Sequence, residues 1–283
     1  MAVDLSSITL RALGFVALFQ AVGLAFFLAL FGERLTRLRP ELQRIGLIAS
    51  SAGVLLILMH LALDAPRMAG DFSGLWDDEL QRLAWSSGSG LSALVQAAGL
   101  LGIAIALALS SRGGAWLATC CGLISIGGFL LTGHTSTHPL RAVLVPLLAL
   151  HLCVVAFWFG SLLPLMRVIR IESQAVAVEI LERYSVIAGW LVPLIALAGL
   201  AMAWILAGSL VVLRQPYGQL LIVKFLGFML LMLLAAANRW RWTPALAAGR
   251  PGTALRRSIA MEIALLVAVL STTAVLTTYF SPH

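Results

Sequence analysis

Charged side chains are scarce in this chain: 11% of its 283 residues are Asp, Glu, Lys or Arg, against 61% that are hydrophobic. That balance excludes a water-excluding globule and requires a core of helices packed in lipid. The strict apolar–polar alternation of a transmembrane barrel is missing as well. Cysteine occurs three times, as Cys120, Cys121 and Cys153, with no CxxC spacing, which excludes a disulfide framework. The oxygen-rich acidic sites that hold calcium or magnesium are not evident. No basic stretch precedes the first apolar run in MAVDLSSITL, so a cleaved signal peptide is not expected.

What the chain does have is long apolar runs. A helix needs roughly 20 apolar residues to cross a bilayer, and runs of that length predict eight spans: Ser6–Phe31, Arg44–Leu63, Ser89–Ser110, Ala115–Gly133, Ala142–Met166, Ser185–Gly208, Gly218–Ala237 and Arg257–Phe280. The fold class is therefore all-α, a polytopic membrane helical bundle forming one transmembrane domain over residues 1–283, with no appended soluble domain expected. The longest connection, about residues 64–88, predicts a short surface helix around Trp76 to Trp85.

Arginine placement predicts the orientation. Alternate loops carry Arg34, Arg37, Arg39 and Arg44, then Arg112, then Arg167, Arg170 and Arg183, then Arg239, Arg241, Arg250, Arg256 and Arg257; the opposite loops hold Arg67, Arg82, Arg141 and Arg214. By the positive-inside rule the first set is cytoplasmic and both termini are periplasmic. The net charge of +7 is then a topology signal and calls for no nucleic-acid partner.

In this frame the histidines gather at one side. His60 sits near the outer end of the second span, His134 ends the fourth, His138 follows in the loop, and His151 lies about ten residues into the fifth. Imidazole is the commonest side-chain metal ligand, and a buried ring in hydrocarbon must find a partner. His60, His134 and His151 are thus the candidate metal ligands, with His138, Met59 and Cys153 as weaker ones. Each has a structural alternative: an interfacial histidine can bond headgroups or loop carbonyls, and thiols in apolar helices usually pack. Helical geometry turns Met59 about 100° from His60.

Asp64 lies one turn beyond His60, where it either orients the ring or pairs with Arg67. Lys224 and Glu262 are charges within spans. For Lys224 the alternatives are snorkelling outward or pairing with a carboxylate such as Asp64; for Glu262, a bond to Arg256 or Arg257 is expected. His283 is expected to be a terminal residue without a role.

Three segments carry a family resemblance. Tyr217 to Leu246, YGQLLIVKFLGFMLLMLLAAANRWRWTPAL, resembles the signature of the CopD family of bacterial copper resistance membrane proteins, with its YG, its lysine and its NR.R.TP end. Leu148 to Leu165, LALHLCVVAFWFGSLLPL, is similar to the family's preceding segment, and Gly133–His134 to its glycine–histidine pair. The best match to the family domain spans residues 180–280, and the span count extends the agreement.

The resemblance implies an inner-membrane protein, a transporter and not an enzyme, that takes copper from the periplasm toward the cytoplasm, often beside a small periplasmic carrier of the CopC type. His134 and His151 match family histidines, and Trp158 and Lys224 match motif residues, placing these two with Asp64 behind the ligands or along the path. Imidazole and thioether donors also suit copper chemically. Two other functions stay open: a haem b electron-transfer protein with paired histidines, and a docking or assembly partner for a periplasmic carrier that does not itself translocate copper. A loose similarity between LQRLAWSSGSGLSALV and VVLRQPYGQLLIVK suggests parallel halves at 1–140 and 141–283, with bends at Pro146, Pro164 and Pro193.

Overall fold

The computed structural model describes residues 2–109, 113–207 and 214–279, the side chains of His134 and Ala207 excepted. Eight of its helices are long and apolar enough to cross a membrane. They are α1 (Ala2–Phe31), α2 (Arg39–Ala62), α5 (Gly88–Ala108), α6 (Gly114–Gly128), α8 (Arg141–Ile171), α9 (Gln174–Ala207), α10 (Pro216–Ala237) and α12 (Thr253–Tyr279). Four short helices lie between them: α3 (Asp64–Ala69), α4 (Asp78–Ser86), α7 (His134–Thr137) and α11 (Thr243–Ala247). No strand occurs among the described residues. The span ends expected at Ser110, Gly208 and Phe280, and His283, lie outside the described residues.

The spans match the apolar runs but extend past several of their ends. The largest difference is α9, which begins at Gln174 where the hydropathy run begins at Ser185. Its extra turns are polar, and ion pairs support them: Glu179 bonds Arg34 at 2.8 Å and Arg183 at 3.0 Å. Hydropathy alone misses helix that continues past the hydrocarbon. The expected surface helix is α4, whose start is set by Asp77; that carboxylate accepts from the Glu79 and Leu80 amides, both at 3.0 Å. The helices run through Pro146, Pro164 and Pro193.

α1 is the axis of the bundle. It packs against α2, α5, α6, α8 and α12, and 56% of its apolar window is buried, against 6% for α10 at the lipid-facing edge. Its junction with α8 is a glycine crossing: a Cβ placed on Gly160 would stand 2.5 Å from the Gly23 Cα and 2.8 Å from the Phe19 carbonyl oxygen. Without a hydrophobic drive between helices in lipid, such close backbone approach supplies the packing energy. The Gln20 amide adds an interhelical bond to the Gly160 carbonyl at 3.1 Å. α5 and α6 are laced in a similar way, with Ser92 donating to Gly128 O at 2.7 Å and Ser125 to Gln96 O at 3.0 Å.

Candidate functional site

The most chemically loaded space is a cavity of about 140 Å³ where α1, α2, α5 and the end of α6 meet. Arg11, His60, Asp64, Arg67, Ser92, Gln96 and Thr132 supply its polar wall, and Leu10, Phe15, Ile57 and Phe129 are among its apolar residues. The volume holds an ion with a few waters. It is well short of the roughly 300–1,000 Å³ of pockets for organic ligands.

His60 is positioned by α1. Its Nε2 shares a hydrogen bond of 3.2 Å with Ser7 Oγ, and Ser7 is fully buried. That leaves Nδ1 as the other ring nitrogen for a ligand. Met59, next on the helix, is 46% exposed toward the lipid, as its 100° offset requires.

Asp64 lies elsewhere than helix geometry from the sequence suggests. α2 ends at Ala62 and Asp64 opens the short α3 that continues it through the single residue Leu63, whose backbone is right-handed helical, so the carboxylate does not stand at a free helix end. It pairs with Arg67 at 3.3 Å. Facing it across the cavity is Arg11, whose guanidinium donates to Thr277 O at 3.2 Å and to Thr278 Oγ1 at 3.4 Å in the last turn of α12. Arg11 thereby satisfies one carbonyl and one hydroxyl at a helix C-terminus, where a cation is favoured. Reading the sequence for spans passed over Arg11; the signal for it was a lone arginine inside an apolar run. Gln96 and Ser92, bonded to each other at 3.0 Å, were equally missed.

The other candidates lie apart from this cavity. His151 faces α9, its Cε1 3.6 Å from where a Cβ on Gly199 would stand and its ring beside the Ile195 backbone, and its buried Nδ1 has no side-chain hydrogen-bond partner among the described residues. Lys224 of α10 stands close enough to act on it electrostatically. The Lys224–Asp64 pairing is absent, since the two belong to different sites. His138 Nδ1 accepts from the Leu140 amide at 3.0 Å, which fixes the loop before α8. Gly133 takes φ 90°, a left-handed turn that suits glycine, and leads into α7, which His134 opens; the His134 side chain lies outside the described residues. Cys153 packs on the apolar core. Among the described residues, no group of three or more His, Cys, Asp or Glu side chains forms a ready metal cage.

A second polar cluster occupies the opposite part of the bundle. Trp158 Nε1 of α8 donates to Glu262 Oε2 of α12 at 3.3 Å, and the Asn238 amide donates to the other carboxylate oxygen. Glu262 thus bonds Trp158 and Asn238 in place of Arg256 or Arg257, because its side chain turns into the bundle while Arg257 is exposed. Asn238 opens a π-helical turn, Asn238–Trp242, between α10 and α11.

A family model described as "Copper resistance protein D" matches residues 178–276, and one described as "Copper resistance protein D-like, N-terminal domain" matches residues 1–139. Copper resistance protein D of Pseudomonas syringae pv. tomato is 27% identical over 286 aligned residues, covering 90% of this chain and 91% of that protein. Inner membrane protein YebZ of Escherichia coli (strain K12) is 32% identical over 99 residues, a match that takes in 34% of each chain. No solved structure matches. With these relatives and eight apolar spans, the chain is a multi-pass protein of the inner membrane. One model covers the part with the His60 cavity and the other the part with Lys224, Asn238 and Glu262, and the chain belongs to the copper resistance protein D family.

Proposed function

We propose that the protein carries copper across the inner membrane from the periplasm toward the cytoplasm, with the His60 end of the bundle facing the periplasm. The observation that carries this reading is the small polar cavity beside His60, held open in the bundle and of a size for an ion with water. Support also comes from the name of the Pseudomonas syringae relative, aligned over nearly the whole chain, and from the arginine-rich loops at the other end, which the positive-inside rule assigns to the cytoplasm.

In this reading His60, oriented by Ser7, is the first protein ligand, and His134 and His151 are later or additional ones. Arg11 and Arg67 flank His60 with only Asp64 between them. Two nearby cations weaken retention of a third, which suits passage better than storage. A periplasmic carrier of the CopC type would deliver the ion to this end.

Sealed proteoliposomes containing the purified protein test the proposal. Time-dependent copper accumulation that falls in His60→Ala supports it. Stoichiometric binding without accumulation in the native protein would leave a docking role and remove transport.

A further inference from the structure

Glu262 is 2% exposed, yet among the described residues no cation pairs with it. Its partners, the Trp158 indole and the Asn238 amide, are both neutral donors. The charges on the elements around it are committed elsewhere or turned away. Arg34 at the end of α1 and Arg183 on α9 both bond Glu179, and Arg239 of the π turn donates to Ser185 O at 2.8 Å. Arg241 lies over the Trp242 ring, with 4.6 Å to its centroid. Arg256 and Arg257, on α12 itself, make no ion pair with Glu262 among the described residues. The titratable neighbour is Tyr184 of α9, near enough for its phenol to feel the Glu262 charge.

Three buried oxygens around this carboxyl have no hydrogen-bond partner among the described residues: Asn238 Oδ1, Tyr184 Oη and Ser258 Oγ. Ser258 precedes Glu262 by one turn on the same face of α12. Buried polar atoms without partners are rare and mark something not supplied by the side chains as they stand. Asn238 Oδ1 can only accept, so it needs a donor; the Tyr184 and Ser258 hydroxyls can each offer one, and an ionised carboxylate has none. A carboxylic acid has one. The π-helical turn, a feature often found at functional positions, presents Asn238 to the cluster.

We propose that Glu262 is an exchangeable proton site inside the membrane, with Asn238 Oδ1 as an acceptor and the Tyr184 and Ser258 hydroxyls as the groups that receive and pass its hydrogen bond. Loading forms one O–H bond on the Glu262 carboxylate at the expense of one on hydronium, which leaves water; unloading reverses it. No electrons are exchanged. The protonated acid removes an unpaired charge from a low-dielectric interior. The site's part in a transport cycle rests on the copper-transport reading, in which an inward cation exchanges against this proton; the protonation itself does not depend on that reading.

Infrared difference spectroscopy of the full-length protein across a pH series tests it. The expected result is a carboxylic-acid carbonyl band that titrates in the native protein and is absent from Glu262→Gln, with Tyr184→Phe keeping the band at a displaced midpoint. If Glu262→Gln fails to fold, the Tyr184→Phe displacement decides. A band that survives Glu262→Gln, no titrating band at all, or a band abolished by sodium at constant pH overturns the proposal, the last by making the site one for an alkali cation. Proteoliposomes keep the two readings apart. Copper uptake without the band removes the proton site alone, and the band without copper uptake removes the transport reading alone.

Discussion

His60 Nε2 and Ser7 Oγ lie 3.2 Å apart, joining the outer turn of α2 to the first turns of α1. A buried serine therefore sets the ring's orientation and leaves one imidazole nitrogen for the cavity. Groups that orient ligating histidines commonly matter about 10–100-fold in metal affinity. Ser7→Ala should weaken copper binding by about 10-fold with the fold intact. A competition titration on the purified variant, beside circular dichroism, checks this; unchanged affinity would remove His60 from the ligand set or Ser7 from its support.

His151 tests a second position. Its buried Nδ1 lacks a side-chain partner among the described residues, and the Ile195 backbone and Lys224 stand nearby. His151→Ala should lower copper accumulation in cells and in proteoliposomes, whereas His151→Phe, which fills the space beside Gly199, separates lost packing from lost chemistry. Uptake equal to the native protein's in both variants would make His151 a packing residue.

Arg11 binds α1 to the final turn of α12 through Thr277 and Thr278. Hydrogen bonds from charged donors contribute about 1.5–3 kcal/mol where they are shielded, and Arg11 is only half-buried, so Arg11→Met should cost about 1–2 kcal/mol. Thermal unfolding in detergent measures it. Arg11→Lys should recover part of the loss, because a single ammonium reaches fewer acceptors.

The Gly23–Gly160 crossing leaves no room for a side chain. Gly160→Leu should destabilise by about 1–3 kcal/mol or separate α1 from α8 altogether. Titration with a denaturing detergent, read by tryptophan fluorescence, reports the loss; native-like stability would show that α8 can shift without cost.

Asp71 lies between the spans, where it accepts from the Ser73 amide at 2.8 Å. The Ser73 side chain first, and its amide second, hold the Asp71 carboxyl below the ordinary aspartate value of 3.8. A depressed pKa contributes stability above the unfolded value, lost as pH falls through the folded one. Protection of the Ser73 amide from hydrogen exchange should therefore persist at neutral pH and fall only below the usual aspartate range. Asp71→Asn should flatten that pH dependence.

The spans were legible because each rests on a local quantity, the length of an apolar run. The start of α4 was nearly so, since Asp77 with Asp78 and Glu79 in the following turn is a local capping pattern. α9 was legible only in part: its first turns are polar and depend on Arg34, far away in sequence. Of the candidate site, the histidine positions along their helices could be read, but their companions could not. Ser7 and Arg11 in the first apolar run and Gln96 in the third look unremarkable, and they join His60 only when α1, α2 and α5 pack together.

By itself the sequence determined the eight-span helical class, the inner-membrane setting and the family, because hydropathy and short motifs are properties of contiguous residues. Only the tertiary structure decided which polar groups face one another. It gave His60 its serine, turned Glu262 from the arginines of its own helix toward Trp158 and Asn238, and parted Lys224 from Asp64. The reason is physical: in hydrocarbon a buried polar atom must find its partner on a neighbouring helix, and which helix is the neighbour depends on where small residues such as Gly23 and Gly160 let two backbones meet.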